Sequence, residues 1–275
     1  MNYSCPICFE SINLINSKMN LYKCNSCTHP TSILPVDKQE PYNANYFVST
    51  HKKWFENPQL SLYDDVFDLI NKHIKKETVK ICDVGCGTGS FLKHIYTKKS
   101  NWDLHGIDLV ENDHDSIDYE SGDFLKMEIN KKYDVVTNFM VIEHVTDPHL
   151  FVSKMKISLK EDGLMVINTI NSNSLIYRMA RFLDKLGFST AHDRLYDPHH
   201  LQHFNNESLK KLLEDEGMQI VSHKNHNYDL KAVDVPSSGF ILEKMYLFVV
   251  QILFWVSIPF NQGHHQTILC EKKID

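Results

Sequence analysis

The 275-residue sequence lacks the features that would assign it to a special class of protein. It contains only 10 glycines and 9 prolines, which excludes a collagen-like or low-complexity chain. Basic side chains are fewer than acidic ones, 29 against 35, so no global positive field is available to hold nucleic acid. With 42% apolar and 23% charged residues, the composition is typical of a globular protein with one large domain and a small appendage.

The sequence also lacks a basic region followed by an apolar stretch at its start, and it lacks an uninterrupted apolar run of about 20 residues, the length that spans a bilayer. We therefore expect a cytoplasmic protein. Residues 246–260 are nearly free of polar groups, within an apolar helix predicted over 238–260. We expect this helix to be buried, and contact of 246–260 with a membrane surface or a partner is the alternative, which would make the protein membrane-associated.

The seven cysteines are not distributed as in a disulfide framework, because four of them lie in the first 27 residues. These four form two C-x-x-C pairs, Cys5 with Cys8 and Cys24 with Cys27. Two tight turns at this spacing can present four thiolates to one tetrahedral Zn²⁺. The spacing predicts a zinc ribbon over residues 1–38, with a structural ion, since four thiolates leave no open coordination position. His29 is expected at the surface.

Residues 39–60 are predicted to connect the ribbon to the rest of the chain. Aromatic side chains recur there at the three- to five-residue spacing of a helix face: Tyr42, Tyr46, Phe47, His51, Trp54 and Phe55. Such a stripe usually packs on a neighbouring domain. A role of Tyr42, Tyr46 and His51 in a pocket is the alternative.

Helical and strand patterns alternate over residues 61–275, which predicts an α/β fold with a mostly parallel sheet covered by helices on both faces. Strands are expected at 79–84, 103–108, 133–138, 164–169, 218–224 and 266–271. One helix is expected to begin at Asp147 and Pro148 and to end at Gly163. Another is expected to begin at Asn205 or Asn206.

A glycine-rich turn follows the first of these strands, in the sequence Asp83-Val84-Gly85-Cys86-Gly87-Thr88-Gly89-Ser90. A dinucleotide fingerprint would require glycine where Ser90 stands, and a phosphate-binding loop would require a lysine that is absent. The carboxylate of Asp83 would repel a pyrophosphate but could accept hydrogen bonds from a cationic amino group.

Two further carboxylates follow the next strands. Asp108 ends the second strand, where a carboxylate can accept both hydroxyls of a ribose. Asp123 could accept a hydrogen bond from an adenine amino group while Phe124 covers the ring. A ligand with an amino acid end, a ribose and an adenine is S-adenosylmethionine rather than NAD.

With these residues, and with 133–138 and 143–148, the sequence resembles class I S-adenosylmethionine-dependent methyltransferases over about residues 60–224. The resemblance implies a Rossmann-like sheet of seven strands, the last one antiparallel. It also implies these cofactor contacts: Asp83, Gly85, Gly87 and Gly89 to the methionine part, Asp108 to the ribose, Asp123 and Phe124 to the adenine, and Asn138 beside the transferred methyl group.

The four-cysteine ribbon is similar to that of methyltransferases from bacterial glycan and secondary-metabolite clusters, and less closely to that of ribosomal RNA methyltransferases. This implies O-methylation of a sugar, a glycan precursor or a related small metabolite. The related sugar C-methyltransferases have an additional C-terminal domain that this chain is too short to include. Residues 1–34 carry two lysines and one glutamate, a charge too small to favour RNA. A non-catalytic, cofactor-binding scaffold is the third alternative.

A histidine is the candidate general base for a hydroxyl acceptor. His144 follows the fourth strand, and the resemblance places it near the methyl group; packing of the turn is the equal alternative. The predicted insertion 171–204, which commonly roofs the substrate site in this family, contributes His199 and His200 as further candidates. We favour substrate contacts for them, or a solvated loop, over a metal site that would also include His192 and His203.

Overall fold

The computed structural model describes residues 3–33, 53, 56–197, 199–233, 235 and 240–273. The aromatic residues of the predicted connector, from Tyr42 to Phe55, lie outside the described residues. The division of the chain at residues 38 and 60 therefore stays a prediction.

The N-terminal part forms a small antiparallel sheet of three strands, β1 (Ile12–Asn16), β2 (Leu21–Cys24) and β3 (Pro30–Ser32). Its buried side chains, among them Ile7 and Ile12, belong to the same apolar cluster as residues of the large sheet and its helices. The ribbon is therefore packed on the body of the protein.

The large sheet has the seven strands that the family resemblance implies, one more than the six expected from the strand pattern, and it confirms the Rossmann-like fold. They are β4 (Lys80–Val84), β5 (Asp103–Asp108), β6 (Asp118–Ser121), β7 (Tyr133–Phe139), β8 (Leu159–Ile170), β9 (Met218–His226) and β10 (His265–Lys272). Their order is β6-β5-β4-β7-β8-β10-β9. β10 is antiparallel to both of its neighbours, while β4 to β8 pair in parallel.

Helices cover both faces of this sheet. The helices whose bounds the structure describes are α1 (Leu60–His73), α2 (Ser90–Lys98), α3 (Pro148–Ser158), α4 (Leu175–Lys185), α5 (Thr190–Leu195), α6 (Asn206–Asp215) and α7 (Phe240–Ser257), and α1, α2, α3 and α6 pack on the sheet. Side chains along a strand alternate between faces, so Ile81 packs with α1 and α2, whereas Cys82 packs with α3, α6 and the ribbon. Both sides of β4 are thus buried, as its apolar sequence predicts.

The helix starts are as expected, but one helix end is not. Asp147 Oδ1 accepts a hydrogen bond from Leu150 N at 2.9 Å, and Asn205 forms a capping box with Ser208. The prediction that Gly163 ends α3 is wrong: α3 ends at Ser158, and Gly163 lies within β8. Pairing of β8 with β7 starts already at residue 159, so strand pairing replaces the last helical turn.

The expectation that the apolar helix is buried is also wrong. α7 continues into a short 3₁₀ turn, Ile258–Phe260, and within α7 only Val250, Phe254 and Ser257 are buried. Within the part of the chain that the structure describes, Phe240–Phe260 is the one helix whose length and composition would allow it to cross a membrane, and 17% of its most apolar window is buried.

Candidate active site

The glycine-rich turn lies at the carboxyl end of β4, between β4 and α2. Gly85 and Gly89 have φ angles of +71° and +74°, in the left-handed region that favours glycine. A Cβ on Gly85 would come within 2.3 Å of Val141 Cγ2, and one on Gly89 within 1.9 Å of the Tyr119 hydroxyl. The turn therefore requires glycine both for its backbone conformation and for its close approach to neighbouring side chains.

A cleft runs along this edge of the sheet as two cavities that share Gly85 and Val141. The first is lined by Gln59, Tyr63, Asp83, Gly87, Phe139 and Met140, among others. The second is lined by residues that include Ile107, Asp108, Asp123, Phe124, His144 and Phe151. The structure thus brings most of the predicted site residues into one elongated cleft.

Asp83 lies at the bottom of the first cavity and is buried. Its Oδ1 accepts a hydrogen bond from Thr137 Oγ1 at 2.7 Å. Burial raises the pKa of this carboxyl to about 7, although the Thr137 hydrogen bond opposes the shift. A buried carboxyl of this kind is well suited to pair with a cationic amino group, because the cation would favour the ionised form.

Asp108 joins the end of β5 to the glycine-rich turn. Its carboxylate accepts hydrogen bonds from Gly87 N at 2.8 Å and from Val110 N at 3.0 Å, while burial raises its pKa. Phe124 is buried in the same cavity, edge-on to Phe151. This part of the cleft offers a carboxylate in contact with the turn and the apolar ring of Phe124.

Asp123 is more exposed than the other two carboxylates of the cleft. Its Oδ1 accepts from Leu125 N at 3.0 Å, and its Oδ2 lies 2.9 Å from Lys126 Nζ. The side chain is therefore held in place among the residues that line the second cavity.

Asn138 does not line either cavity. It is fully buried, and its Nδ2 donates a hydrogen bond to Val84 O at 2.9 Å, which ties β7 to the strand that carries the turn. The position at the cavity surface belongs instead to Met140, which has a φ angle of +55°. Sequence patterns give no sign of this conformation, since methionine rarely adopts it.

His144 ends a 3₁₀ turn, Ile142–His144, and lines the second cavity. Its Nδ1 donates a hydrogen bond to His199 O at 2.9 Å. A carbonyl oxygen only accepts, so the hydrogen is on Nδ1 and the neutral ring has its unprotonated nitrogen at Nε2. The ring also contacts His200 edge-on, with centroids 4.8 Å apart. Neither His199 nor His200 lines either cavity; His199 contacts His144 through its backbone carbonyl, and His200 contacts it through its ring.

Glu143 is a buried group that sequence reasoning missed. Its Oε2 accepts from Thr169 Oγ1 at 2.7 Å, and burial raises its pKa to about 7. Its backbone carbonyl accepts from Leu201 N and Gln202 N, both at 2.8 Å. The turn that carries His144 is therefore fixed from both sides, by β8 and by the segment 199–203.

The other two histidines of the predicted insertion have packing roles. His203 is buried, with its Nε2 2.9 Å from Ser32 Oγ, and His192 is packed against Tyr196. Tyr63 and Gln59, which line the first cavity, were also missed. They lie at the start of α1, and a helix pattern shows which face is apolar but not what that face covers.

The four ribbon cysteines lie together, with their sulfur atoms all within 4.8 Å of one another. Cys5 Sγ is 3.5 Å from Cys27 Sγ, and Cys8 Sγ is 3.4 Å from Cys24 Sγ. Zn–S bonds of about 2.3 Å place the sulfurs of a tetrahedral site somewhat under 4 Å apart. The donor set and its spacing therefore fit one Zn²⁺.

The ribbon is hydrogen-bonded to the segment that supports His144. Ser32 N donates to Leu201 O at 2.9 Å, and His203 N donates to Pro30 O at 3.0 Å. His29 is fully buried, 3.1 Å from both Ser208 Oγ and Gln202 Oε1, so its expected surface position is wrong. Docking of β3 beside α6 encloses this ring, and no local pattern indicates that docking.

Comparison with known proteins gives matches that are all named as methyltransferases. Residues 55–223 match a family model described as a methyltransferase domain. The ubiquinone biosynthesis O-methyltransferase of Glaesserella parasuis is 32% identical over 117 residues, which are 36% of this chain and 49% of that protein. The chain thus spans about half the length of the curated relatives that it matches.

Two solved structures share the fold. The SAM-dependent methyltransferase from Archaeoglobus fulgidus is 19% identical, with a TM-score of 0.52, and the match covers 82% of this chain and 99% of that one. The 1,6-didemethyltoxoflavin-N1-methyltransferase of Burkholderia thailandensis, solved with 1,6-didemethyltoxoflavin and S-adenosylhomocysteine, is 12% identical, with a TM-score of 0.52 and coverage of 96% and 99%.

Proposed function

The chain belongs to the methyltransferase domain family, and from that premise we propose that it transfers a methyl group from S-adenosylmethionine to a hydroxyl of a small metabolite. The observation that carries the proposal is the single cleft with Asp83 in one cavity and Asp108, Asp123 and His144 in the other. A sugar or glycan precursor is the acceptor that we favour.

The residues of the cleft fit the cofactor. Asp83 would pair with its amino group, the glycine-rich turn would leave room for its methionine part, and Asp108 would accept hydrogen bonds from its ribose hydroxyls. Asp123 and Phe124 would contact its adenine. When bound, S-adenosylmethionine supplies a methyl group on a positively charged sulfur, which is open to attack by an oxygen nucleophile.

His144 is the proposed general base. Its Nε2 would accept the proton of the acceptor hydroxyl as the new O–CH₃ bond forms and the S–CH₃ bond breaks. The hydrogen bond from Nδ1 to His199 O supports this role, because it sets the tautomer with an unprotonated Nε2. Contact of the acceptor with the His200 side chain is part of the same proposal.

Two observations support a small acceptor. The curated relatives that match include ubiquinone biosynthesis O-methyltransferases, whose name refers to the synthesis of a small molecule. An RNA acceptor would favour a basic ribbon, and residues 1–34 have two lysines against one glutamate. We further propose that the ribbon holds one structural Zn²⁺ through Cys5, Cys8, Cys24 and Cys27.

Calorimetric titration with S-adenosylmethionine and with S-adenosylhomocysteine tests the cofactor part. We expect saturable binding that Asp108→Ala weakens by at least about tenfold, since the loss of even one hydrogen bond to a charged group costs about 1.5–3 kcal/mol. The exposed Asp115→Ala is the matched control and should bind as the unmodified chain does. Undetectable binding at millimolar cofactor would refute the proposal.

The acceptor is tested with methyl-labelled S-adenosylmethionine and separate pools of nucleotide sugars, catechols and total RNA. We expect label in a small molecule, and acetylation of the hydroxyl groups in that pool before the reaction should abolish the labelling. Salt-sensitive labelling of RNA instead would overturn the proposed acceptor class. Cofactor binding without transfer to any pool would favour the non-catalytic alternative.

A further inference from the structure

α7 presents to solvent a face that is more apolar than the face it turns to the protein. Its inner face contains Val250, Phe254 and Ser257, which pack near Val233 and Tyr228. Apart from Phe240 at its first position, the exposed large apolar residues of α7 all lie on its outer face: Ile241, Leu242, Met245, Phe248, Val249, Ile252, Trp255 and Val256. At about 100° per residue these eight positions fall within an arc of roughly 140°. A helix that only covers a core has the opposite arrangement.

Exposed apolar side chains also lie on and just after α4, which packs against α7. Phe182, at the outer side of α4, is 57% exposed, and Leu186 and Phe188, just after α4, are 58% and 67% exposed. Together with the outer face of α7 they form what we call the α4–α7 surface. So many exposed large apolar side chains on two helices that pack together indicate a binding surface.

Cationic side chains border this surface. Residues 175–195 contain four basic residues, Arg178, Arg181, Lys185 and Arg194, against two acidic ones, although the whole chain has an excess of six acidic residues. Arg178, Lys185 and Arg194 are exposed, and Arg194 acts electrostatically on Tyr246 of α7. The local charge is thus opposite in sign to that of the protein as a whole.

We propose that the α4–α7 surface docks on an anionic phospholipid membrane, with α7 lying in the plane of the interface. Apolar side chains that enter the acyl boundary, with Arg and Lys at the headgroups, are the chemistry of interfacial helices. A second copy of the chain fits less well, because a two-fold contact through this face would bring the same cations against one another.

Insertion across the bilayer would require α7 to leave the fold. Asn227 Nδ2 donates hydrogen bonds to Phe254 O and Ser257 Oγ, both at 2.9 Å, and Tyr228 packs edge-on against Phe254. These contacts hold the inner face on the body of the protein. We therefore propose that one face of α7 binds the membrane surface without crossing it. This proposal does not depend on which molecule accepts the methyl group.

Vesicle flotation with the full chain tests the proposal. We expect the protein to float with vesicles of phosphatidylcholine and phosphatidylglycerol in a 3:1 ratio, and to bind pure phosphatidylcholine at least tenfold less. Binding should weaken as salt is raised, since headgroup attraction is screened. Equal binding to both vesicles would refute the role of the cations, and binding to neither would refute the proposal.

Two matched pairs of variants locate the surface. Phe248→Glu with Trp255→Glu should abolish flotation, whereas Leu14→Glu with Ile157→Glu, at exposed apolar positions elsewhere, should not. Arg178→Glu with Lys185→Glu should reduce binding about tenfold, whereas Lys72→Glu with Lys75→Glu should not. If a control variant lost binding to the same extent as the variant it is matched with, the α4–α7 surface would not be the membrane-binding surface.

Tryptophan fluorescence gives a readout that does not depend on variants that fold poorly. Trp255 is 76% exposed and Trp102 is 5% exposed. Vesicles with brominated acyl chains should quench and blue-shift the emission of the full chain, and Trp255→Phe, which keeps the surface apolar, should remove that response. Light scattering completes the test: a lipid-independent dimer broken by Phe248→Glu would overturn the proposal in favour of a second copy.

Discussion

His144 Nδ1 donates a hydrogen bond to the backbone carbonyl of His199 at 2.9 Å. Two residues further along, Leu201 O accepts from Ser32 N of the ribbon, and Leu201 N donates to Glu143 O. The segment 199–203 thus connects the ribbon with the candidate base. The orientation of the His144 ring depends on chain segments that are far apart in the sequence.

Replacement of this histidine tests its role as general base. His144→Ala should lower kcat by about 100- to 10,000-fold, the range typical of a lost acid–base group, with an unchanged dissociation constant for S-adenosylhomocysteine. Steady-state rates with the labelled cofactor and calorimetry measure the two quantities. The exposed His73→Ala is the control, and equal rates for both variants would assign His144 to packing.

The raised pKa of Asp83 predicts a pH dependence of cofactor binding. Its pKa is about 7, so this carboxyl is mostly neutral at pH 6 and mostly ionised at pH 7.5. Pairing with the cationic amino group requires the ionised form, and the affinity should rise roughly tenfold across this range. Calorimetry at both pH values measures it. Asp83→Asn should bind weakly without this rise, and the exposed Asp113→Asn should retain it.

Removal of the metal should affect both stability and rate. Elemental analysis should find one zinc per chain, lost in Cys24→Ser but kept in Cys270→Ser, which alters a buried cysteine outside the ribbon. The loss should lower the free energy of unfolding by about 4 kcal/mol or more, because the ribbon is too small to fold without metal. The rate should also fall, since β3 supports the segment 199–203. A zinc-free protein with full stability would contradict the prediction.

Buried His264 should make stability depend on pH. Burial lowers its pKa from 6.5 to about 4, so the unfolded chain binds a proton at this residue where the folded one does not. Above about pH 6.5 the free energy of unfolding carries no cost from this residue. As the pH falls towards 4, the free energy of unfolding should decrease by up to about 3 kcal/mol, because only the unfolded chain takes up the proton.

Denaturant unfolding of the unmodified chain and of His264→Asn over this range measures the effect. The difference between their free energies of unfolding isolates His264, because Asp83 and Glu143, whose raised pKa values act in the opposite direction, are common to both. Parallel pH profiles of the two proteins would refute the prediction.

Much of the fold was predictable because it depends on neighbouring residues. The strand at Lys80–Val84, the cap at Asp147 and the glycine-rich turn all follow from apolar runs, capping groups and backbone preferences within about ten positions. The end of α3 was mispredicted, since Gly163 was interpreted from local preference while pairing of β8 with β7 determined the structure.

The candidate site was predictable in its composition but not in its arrangement. Asp83, Asp108 and His144 were identified from position along the chain, and all three line the cleft. Asn138 was identified in the same way, yet its amide bonds to Val84 O. The direction of a side chain at a strand end depends on which strand lies beside it, and the sequence does not state that.

The sequence by itself determined the cysteine spacing that fits Zn²⁺, the glycine turn with its carboxylates, and the alternation of strands and helices. Only the tertiary structure decided that His29 is buried, that His199 sets the tautomer of His144, and that the apolar face of α7 lies outside. The first group depends on residues close together in the chain. The second depends on which distant surfaces meet, and therefore on the free energy of the whole packed structure.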